Sequence, residues 1–178
     1  MLDVRCYSMN DLITIVDEND KAIGTAPRRE AHEKGLWHRI VVIHVFNSGG
    51  QIYIQKRSPN SDTAPNLWDH SAAGHVDANE ASVDAAKREL NEELGIRVEK
   101  ITFIATYKRQ TTRDNKILNR YWYIYSAVYD GEIQLQEEEI TEGKFVDLDW
   151  LKKDIETQPD IYTGGFKKSL SVYLESTK

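Results

Sequence analysis

The sequence predicts an α/β (α+β) fold in which helices cover a mixed β-sheet. Short runs rich in β-branched and aromatic residues alternate along the 178 residues with stretches of helical periodicity. Hydrophobic residues make up 40% of the chain and charged residues 29%, which is enough apolar material for one compact core. The sequence has no repeat and no clear interdomain linker. We therefore expect a single domain over residues 1–178, with a hairpin-and-helix extension over residues 1–36.

The elements follow from local patterns in chain order. Strands are expected where β-branched residues cluster, and helices where apolar positions recur every three or four residues before a glycine. The expected strands cover residues 12–16, 21–25, 40–46, 51–56, 68–76, 101–107, 119–128 and 145–147. The expected helices cover residues 28–34, 81–94, 150–155 and 166–174, with loops at 58–67 and 108–118.

Charge and composition narrow the class of protein. Lys+Arg number 23 and Asp+Glu 29, a net charge of -6, which disfavours a duplex nucleic-acid binder. The single cysteine, Cys6, cannot form an intrachain disulfide and is typical of a reduced, cytoplasmic protein. No apolar run approaches the ~20 residues of a membrane span, and the first residues lack a signal-peptide pattern. We expect a cytoplasmic protein, monomer or homodimer, with no membrane or duplex nucleic-acid partner.

The helix predicted over residues 81–94 carries three glutamates on one face. Glu89, Glu92 and Glu93 stand at positions i, i+3 and i+4. Carboxylates this close repel one another, and the adjacent Arg88 cannot neutralise all three. Mg²⁺ and Mn²⁺ prefer carboxylate oxygens, so the pattern indicates a divalent-metal site. A solvated acidic face is the alternative.

The spacing around this helix is more specific than the helix itself. Residues 74–96 read GHVDANEASVDAAKRELNEELGI, with five residues between Gly74 and Glu80 and seven between Glu80 and Arg88. The segment resembles the Nudix box, G-x5-E-x7-R-E-U-x-E-E-x-G-U with U apolar, and every fixed position matches. The chain is identified by this resemblance as a member of the Nudix hydrolase superfamily. That membership implies a Nudix-type α/β/α sandwich with a mixed sheet.

The resemblance also implies the chemistry of the site. In Nudix proteins the three helix glutamates bind the metal, and the carbonyl of the box glycine, here Gly74, adds a ligand. Arg88 is expected to pair with Glu80 and hold the helix against its loop. A bound Mg²⁺ or Mn²⁺ would screen the diphosphate and acidify a water. The implied activity is a pyrophosphohydrolase acting on a nucleoside diphosphate derivative or another X-linked diphosphate, with Arg88 and Glu92 among its catalytic residues.

A second acidic cluster, Glu137–Glu139, lies beyond the box. Nudix enzymes often place their catalytic base, or a further metal ligand, in a loop after the box. Glu139 best matches that placement and Glu137 is second, whereas Glu138 is expected to be solvated. A base must reach the attacking water, a distance that sequence does not give.

Outside the box, the chain is similar to the type I isopentenyl-diphosphate isomerases. Those enzymes hold a metal with histidines before the first long strand and after the box glycine, and with two glutamates spaced like 137 and 139. His38 and His75 are therefore expected metal ligands. His32 is expected to be an ordinary surface residue, because its spacing to His38 is one short. His44 lies inside an apolar strand and is expected to be a core histidine.

One position separates this chain from the isomerases. They use a cysteine just before the box glycine to move a proton on the alkene, and here that position holds Ala73. Alanine cannot transfer a proton, so hydrolysis is favoured over isomerisation. An isomerase of unusual chemistry and a non-catalytic nucleotide-sensing module stay as alternatives.

The substrate itself is less clearly indicated. Arg57 ends a strand close to the box and is a candidate phosphate contact, with a surface basic pair as the alternative. Trp68 and Tyr107 could stack on a base, although core packing is the commoner role of such residues. No set of residues specifies a base or an isoprenoid tail.

Overall fold

The computed structural model describes residues 12–61, 63–113 and 115–177, so Cys6 lies outside the described residues. The strands are β1 (Leu12–Val16), β2 (Ala22–Pro27), β3 (His38–Phe46), β4 (Ile52–Arg57), β5 (Trp68–Asp69), β6 (Ala72–His75), β7 (Thr102–Arg113), β8 (Lys116–Val128) and β9 (Ile140–Val146). The helices are α1 (Arg28–Lys34), α2 (Ser82–Leu94), α3 (Leu148–Thr157) and α4 (Gly164–Ser176). No helix in these ranges is long and apolar enough to cross a membrane.

Strand β3 is the centre of the sheet. It pairs in parallel with β8 along its whole length and antiparallel with β1, β6 and β4 on its other side. The predicted mixed sheet is thus confirmed. Most of β3 is buried, as expected for a run of branched apolar residues in the middle of a sheet.

Alternate residues of β3 face two different layers. Val41 packs on one face in a cluster that contains Leu90 of α2. Val42 packs on the other face with Trp122, and Val172 of α4 covers that cluster. Helices therefore cover both faces of the sheet, which confirms the predicted α/β/α sandwich.

Helix α2 ends where the sequence predicts. Gly95 adopts a left-handed conformation (φ 65°), and its N–H bonds to the Asn91 carbonyl. Glycine takes this conformation without the penalty a Cβ would bring, so it stops the helix. The buried face of α2 includes Ala85, Leu90 and Leu94, and also Glu93, which is 6% exposed.

The polar stretch at 108–118 is not a loop, and that prediction was wrong. It forms the end of β7 and the start of β8, which pair from Thr102↔Ser126 to Arg113↔Lys116. One face of a two-stranded ribbon can be exposed to solvent. Its sequence therefore need not show a regular alternation of apolar and polar residues. For the same reason β9 begins at Ile140, five residues before the short strand expected at 145–147.

The extended stretch expected at 68–76 is divided into β5 and β6. Ser71 lies between them and is fully buried. Its hydroxyl donates to the Tyr53 carbonyl at 2.6 Å and accepts from the Val45 N–H at 2.8 Å. This side chain replaces strand pairing locally and sets β6 directly beside β3.

Candidate active site

The site begins where β6 approaches α2. A methyl carbon built at Gly74 would lie 1.8 Å from Oε1 of Glu89. The Glu89 carboxylate therefore rests against the Gly74 backbone, and only glycine permits that approach. The fixed glycine of the sequence motif is explained by this contact.

Glu93 is the most deeply buried carboxylate of α2. It accepts hydrogen bonds from Gln55 Nε2 at 2.7 Å and from the Ala73 N–H at 3.2 Å. Burial, followed by the charge of Glu89, raises the pKa of Glu93 well above its ordinary value. Two uncharged donors thus hold the Glu93 carboxylate, and no cation of the described residues forms an ion pair with it.

The charged form of Glu89 is also disfavoured by its surroundings. Burial raises the pKa of Glu89 to about 7 even though Arg88 opposes the shift, and the charges of Glu92 and Glu139 raise it further. The Glu92 side chain is 54% exposed, so the cluster opens to solvent on that side. The carboxylates therefore lie close together at the edge where the buried face of α2 meets solvent.

Arg88 is shared among several oxygens. Its guanidinium bonds to Glu80 at 2.9 and 3.0 Å, to Glu89 at 2.7 Å and to Glu92 at 3.2 Å. It also donates to the His75 carbonyl at 2.9 Å, which ties α2 to β6. The predicted Arg88–Glu80 pair is confirmed. Because Arg88 carries a single charge and pairs with Glu80, it cannot also neutralise Glu89 and Glu92 completely.

The donor set fits a hard divalent cation. Carboxylate oxygens that lack a matching positive charge, beside a backbone carbonyl at Gly74, are the ligands that Mg²⁺ and Mn²⁺ prefer. Glu139, in the loop before β9, acts on this cluster, because its charge raises the pKa of both Glu89 and Glu93. The Ser58 N–H donates to the Glu139 carbonyl at 2.8 Å and fixes that loop at the end of β4. Glu137 is exposed.

A separate group of histidines lies on the opposite face of the sheet. One ring nitrogen from each of His32, His38 and His75 can be chosen so that all three lie within 4.8 Å of one another. The Nε2 atoms of His32 and His75 are 3.1 Å apart. His38 Nδ1 bonds to the Leu36 carbonyl at 2.9 Å, which leaves its buried Nε2 as the possible ligand atom.

Two of these histidines, His38 and His75, have the protonation state that metal binding requires. Burial lowers the pKa of His38 to about 4, and burial followed by Arg28 lowers the pKa of His75 well below its ordinary value. Both rings are neutral at pH 7, and only neutral imidazole binds a metal. The group matches a site for a borderline ion such as Zn²⁺.

The histidine group contains one residue that was not expected in it. His32, expected to be an ordinary surface residue, belongs to it because the chain turns at Gly35 after α1 and brings the His32 ring to 5.1 Å from the ring of His38 at the start of β3. Glu139 acts electrostatically on Glu89 of α2. The expectation that His38, His75, Glu137 and Glu139 contribute to a metal site stays a prediction.

Arg57 lies in a second charged network that sequence analysis did not find. Its guanidinium bonds to the Thr63 carbonyl and hydroxyl at 2.8 Å and to Asp69 at 3.2 Å. Asp69 also contacts His70 Nδ1 and the Thr163 hydroxyl, each at 2.7 Å. Burial would raise the pKa of Asp69, but His70 and then Arg57 outweigh it and hold that pKa well below the usual range. Residue spacing gives no sign of this network, because Thr163 is distant in sequence.

The two aromatic candidates are mostly packed. Trp68 is 8% exposed, and Lys144 Nζ lies 4.4 Å from its ring centroid. Tyr107 stacks on Trp122 with 5.7 Å between ring centroids. His44 is fully buried, as expected for a core histidine, with Nε2 3.4 Å from the Ser169 hydroxyl.

Comparison with known proteins decides the family. The NUDIX domain model matches residues 36–163, which is most of the chain. The chain belongs to the Nudix family. An uncharacterized Nudix hydrolase of Pseudomonas aeruginosa is 36% identical over 175 residues, covering 97% of this chain and 98% of the relative. An isopentenyl-diphosphate Delta-isomerase of Aromatoleum aromaticum is 31% identical over 155 residues, covering 87% and 88%.

Solved structures agree on the Nudix fold. A Deinococcus radiodurans protein superposes with a TM-score of 0.75 at 22% identity, covering 94% of this chain and 99% of that one. A MutT protein of Methanosarcina mazei gives a TM-score of 0.64 at 20% identity, covering 80% and 96%. These similarities confirm the predicted fold class for this Nudix chain.

Proposed function

We propose that this Nudix protein is a metal-dependent pyrophosphohydrolase that cleaves the diphosphate linkage of a nucleoside diphosphate derivative or a related X-diphosphate. One observation carries the proposal. The buried carboxylates of Glu89 and Glu93 stand together beside Gly74 with too little positive charge to balance them. An active hydrolase explains why the chain keeps this costly arrangement.

Each residue then has a distinct task. The helix glutamates and the Gly74 carbonyl would hold Mg²⁺ or Mn²⁺, with Glu137 as a further ligand. When bound, the metal supplies charge neutralisation and an acidified water. Glu139 would accept the proton of that water, because its exposed carboxylate adjoins the buried cluster. Arg88 positions the helix carboxylates through its shared hydrogen bonds.

The histidines are proposed as a second, separate metal site. His38, His75 and His32 offer one imidazole nitrogen each as a possible ligand atom. Such a set favours borderline ions over Mg²⁺. The proposal for the active site does not depend on this second site, since the two lie on opposite faces of the sheet.

Isomerase activity is the second candidate, because a relative of similar length carries that name. The fold places Ala73, at the position of the isomerase cysteine, among apolar residues of the sheet face opposite α2. No acidic proton is available on that side chain, so the hydrolase is preferred. A sensing role is a third possibility, since a crystal structure of the Nudix domain of Shewanella oneidensis NrtR is complexed with ADP ribose. The complete set of α2 glutamates favours turnover over sensing.

The partner is proposed to be a small-molecule diphosphate, with Arg57, Trp68 and Tyr107 as candidate contacts. Arg57 is held by the Asp69 network, so its phosphate contact would come from the remaining face of the guanidinium. A cytoplasmic location fits the single cysteine. The charge of -6 fits an enzyme that does not bind duplex nucleic acid.

A panel of diphosphates tests the proposal. Phosphate or phosphomonoester release is measured with Mg²⁺, with Mn²⁺ and with excess chelator, for the wild type and for Glu92→Gln and Glu93→Gln. We expect release that requires the metal and falls at least ~100-fold in both variants. Glu138→Gln is the matched control, because this exposed neighbour of Glu139 should keep full activity. Conversion of isopentenyl diphosphate without phosphate release would instead establish the isomerase.

A further inference from the structure

We propose that Gln55 is a positioning residue of the glutamate site: its amide N–H orients Glu93 without neutralising it, and its buried carbonyl oxygen accepts a hydrogen bond from a water that accompanies the cation. This inference rests on the proposed metal-dependent function and deepens it by adding a residue that lies outside the Nudix box. Gln55 belongs to β4 and is only 4% exposed.

Gln55 reaches Glu93 because of its place in β4. Side chains alternate between the two faces of a strand. Tyr53, two residues earlier, packs in the same cluster as the buried face of α2, so Gln55 also points toward α2. Lys56, the next residue, has its Nζ 5.8 Å from the centroid of the Trp68 ring, which packs on the opposite face. The strand thus presents a neutral side chain to the glutamates and directs its lysine away from them.

A neutral donor suits a carboxylate that has to bind a cation. Gln55 Nε2 donates to Glu93 Oε2 at 2.7 Å, and the Ala73 N–H donates to Glu93 Oε1 at 3.2 Å. Each carboxylate oxygen has two lone pairs, so one acceptor position on each oxygen stays open. An arginine or lysine in place of Gln55 would form an ion pair with Glu93 and compete with the metal. The amide fixes the direction of the carboxylate and leaves its charge available.

The carbonyl end of the same amide lacks a donor. Gln55 Oε1 is inaccessible to solvent and has no hydrogen-bond partner among the described residues. Its cross-strand neighbours explain this, because Gly143 on β9 has no side chain and the Asp69 carboxylate on β5 is itself an acceptor, for the Thr163 hydroxyl. A buried acceptor without a donor is destabilising, so a donor that arrives with a ligand would be favoured at this atom.

A water brought by the cation is the donor that fits. Mg²⁺ loses its water shell reluctantly and usually keeps several waters beside its carboxylate ligands. The oxygens of these waters face the metal, so their hydrogens are directed outward as donors. The diphosphate cannot supply this donor, because its ionised oxygens only accept hydrogen bonds. Gln55 Oε1 belongs to the amide that contacts Glu93, so it borders the carboxylate that would hold the cation.

The packing of Tyr53 keeps the surroundings of Gln55 rigid. A methyl carbon built at Gly143, directly opposite Gln55, would collide with the Tyr53 hydroxyl oxygen. The Tyr53 ring therefore lies across β9, where its edge packs on Phe145 with 5.0 Å between ring centroids. A buried side chain beside a packed ring has little freedom left to lose when a metal binds. Gln55 is thus preorganised for its contact with Glu93.

Metal binding without substrate tests the inference. Gln55→Met removes both polar atoms and keeps an unbranched side chain of similar length. We expect the Kd for Mg²⁺, from calorimetric titration of the metal-free protein, to weaken at least ~10-fold. Mg²⁺ prefers oxygen to imidazole ligands, so the histidine group should take little of it. Gln110→Met is the matched control, because Gln110 also donates to a side chain, Asn119 at 2.8 Å, but lies on the exposed ribbon of β7 and β8. An unchanged Kd for Gln55→Met would overturn the inference.

Thermal melting with chelator and with saturating Mg²⁺ separates positioning from a purely structural role. A structural role would lower the Tm in chelator and leave the gain in Tm on adding Mg²⁺ as large as in the wild type. Positioning predicts that this gain shrinks in Gln55→Met and is kept in Gln110→Met. Gln55→Asn, which holds the same amide one methylene closer to the strand, replaces Gln55→Met if the methionine variant does not fold. Full Mg²⁺ affinity in Gln55→Asn would count against the inference, and a loss of affinity would support it.

The same variants distinguish this inference from the proposed function. Mg²⁺ binding that depends on Gln55, in a protein that cleaves no diphosphate, would support the positioning role and refute the hydrolase. Diphosphate cleavage with unchanged kcat and unchanged Mg²⁺ affinity in Gln55→Met would do the reverse. If both proposals hold, kcat should fall at least ~10-fold in Gln55→Met at saturating Mg²⁺, with less than a twofold change in KM, because Gln55 acts through Glu93 and not on the substrate.

Discussion

Replacing Glu89 by glutamine should stabilise the metal-free protein while abolishing its metal-dependent activity. The Glu89 carboxylate is mostly buried against Gly74, and its pKa is raised to about 7 from an ordinary value of 4.5. Glutamine has nearly the same shape and no charge. The substitution therefore removes the electrostatic cost and keeps the packing.

The size of the effect follows from the pKa. Each unit of difference between folded and unfolded states is worth 1.36 kcal/mol, so the charged form of Glu89 costs about 3 kcal/mol at pH 8. A raised pKa means that the folded state binds the proton more tightly than the unfolded state. The contribution of Glu89 to the stability of the metal-free wild type is therefore largest below pH 4.5. It is lost as the pH rises to about 7. Glu89→Gln should lack that fall.

Urea unfolding in chelator at pH 5 and pH 8 measures the difference. We expect Glu89→Gln to gain about 3 kcal/mol over the wild type at pH 8 and much less at pH 5. Glu99→Gln, a change at an exposed glutamate, should be neutral at both values. Addition of Mg²⁺ should stabilise the wild type and leave Glu89→Gln nearly unaffected. A variant that is less stable than the wild type at pH 8 would refute the view of Glu89 as an under-compensated buried charge.

Three further predictions concern separate parts of the molecule. Gly74→Ala should lower activity more than 10-fold and weaken Mg²⁺ binding, because its methyl group would lie 1.8 Å from the Glu89 carboxylate; calorimetric titration with Mg²⁺ checks this. Asp69→Asn should lower the free energy of unfolding by about 3 kcal/mol, because it leaves Arg57 without its charged partner. Urea unfolding at pH 7 measures this, and an unchanged free energy of unfolding would contradict it. His38→Ala should abolish Zn²⁺ or Co²⁺ binding, measured by metal analysis after dialysis, and should keep Mg²⁺-dependent hydrolysis above half of the wild-type rate.

The acidic site was the part of the molecule most accessible from sequence. The Nudix box fixes residue identities on one helix and one adjoining strand, and these are local in the chain. The positions of Glu89, Glu93 and Arg88 therefore follow from helix geometry and one glycine contact. Helix α2 was predicted to within one residue at its start for the same reason.

Contacts between distant segments were not accessible in this way. The histidine group joins α1, β3 and β6, and His32 enters it only because the chain turns at Gly35 after α1. The stacking of Tyr107 on Trp122 depends on the register of β8 between β3 and β7, which these two residues do not encode locally. Polar ribbon strands such as β7 also lack the alternation that identifies a half-buried strand.

Oxygen-18 incorporation tests the central claim most directly. A nucleoside diphosphate derivative is incubated with the protein in ¹⁸O-labelled water, once with Mg²⁺ and once with chelator. The masses of the phosphate products are measured by mass spectrometry. The account predicts one labelled oxygen in one phosphate product with Mg²⁺, and intact substrate both in chelator and with Glu93→Gln. Cleavage that continues in chelator or in Glu93→Gln would contradict the assignment of hydrolysis to the glutamates of α2.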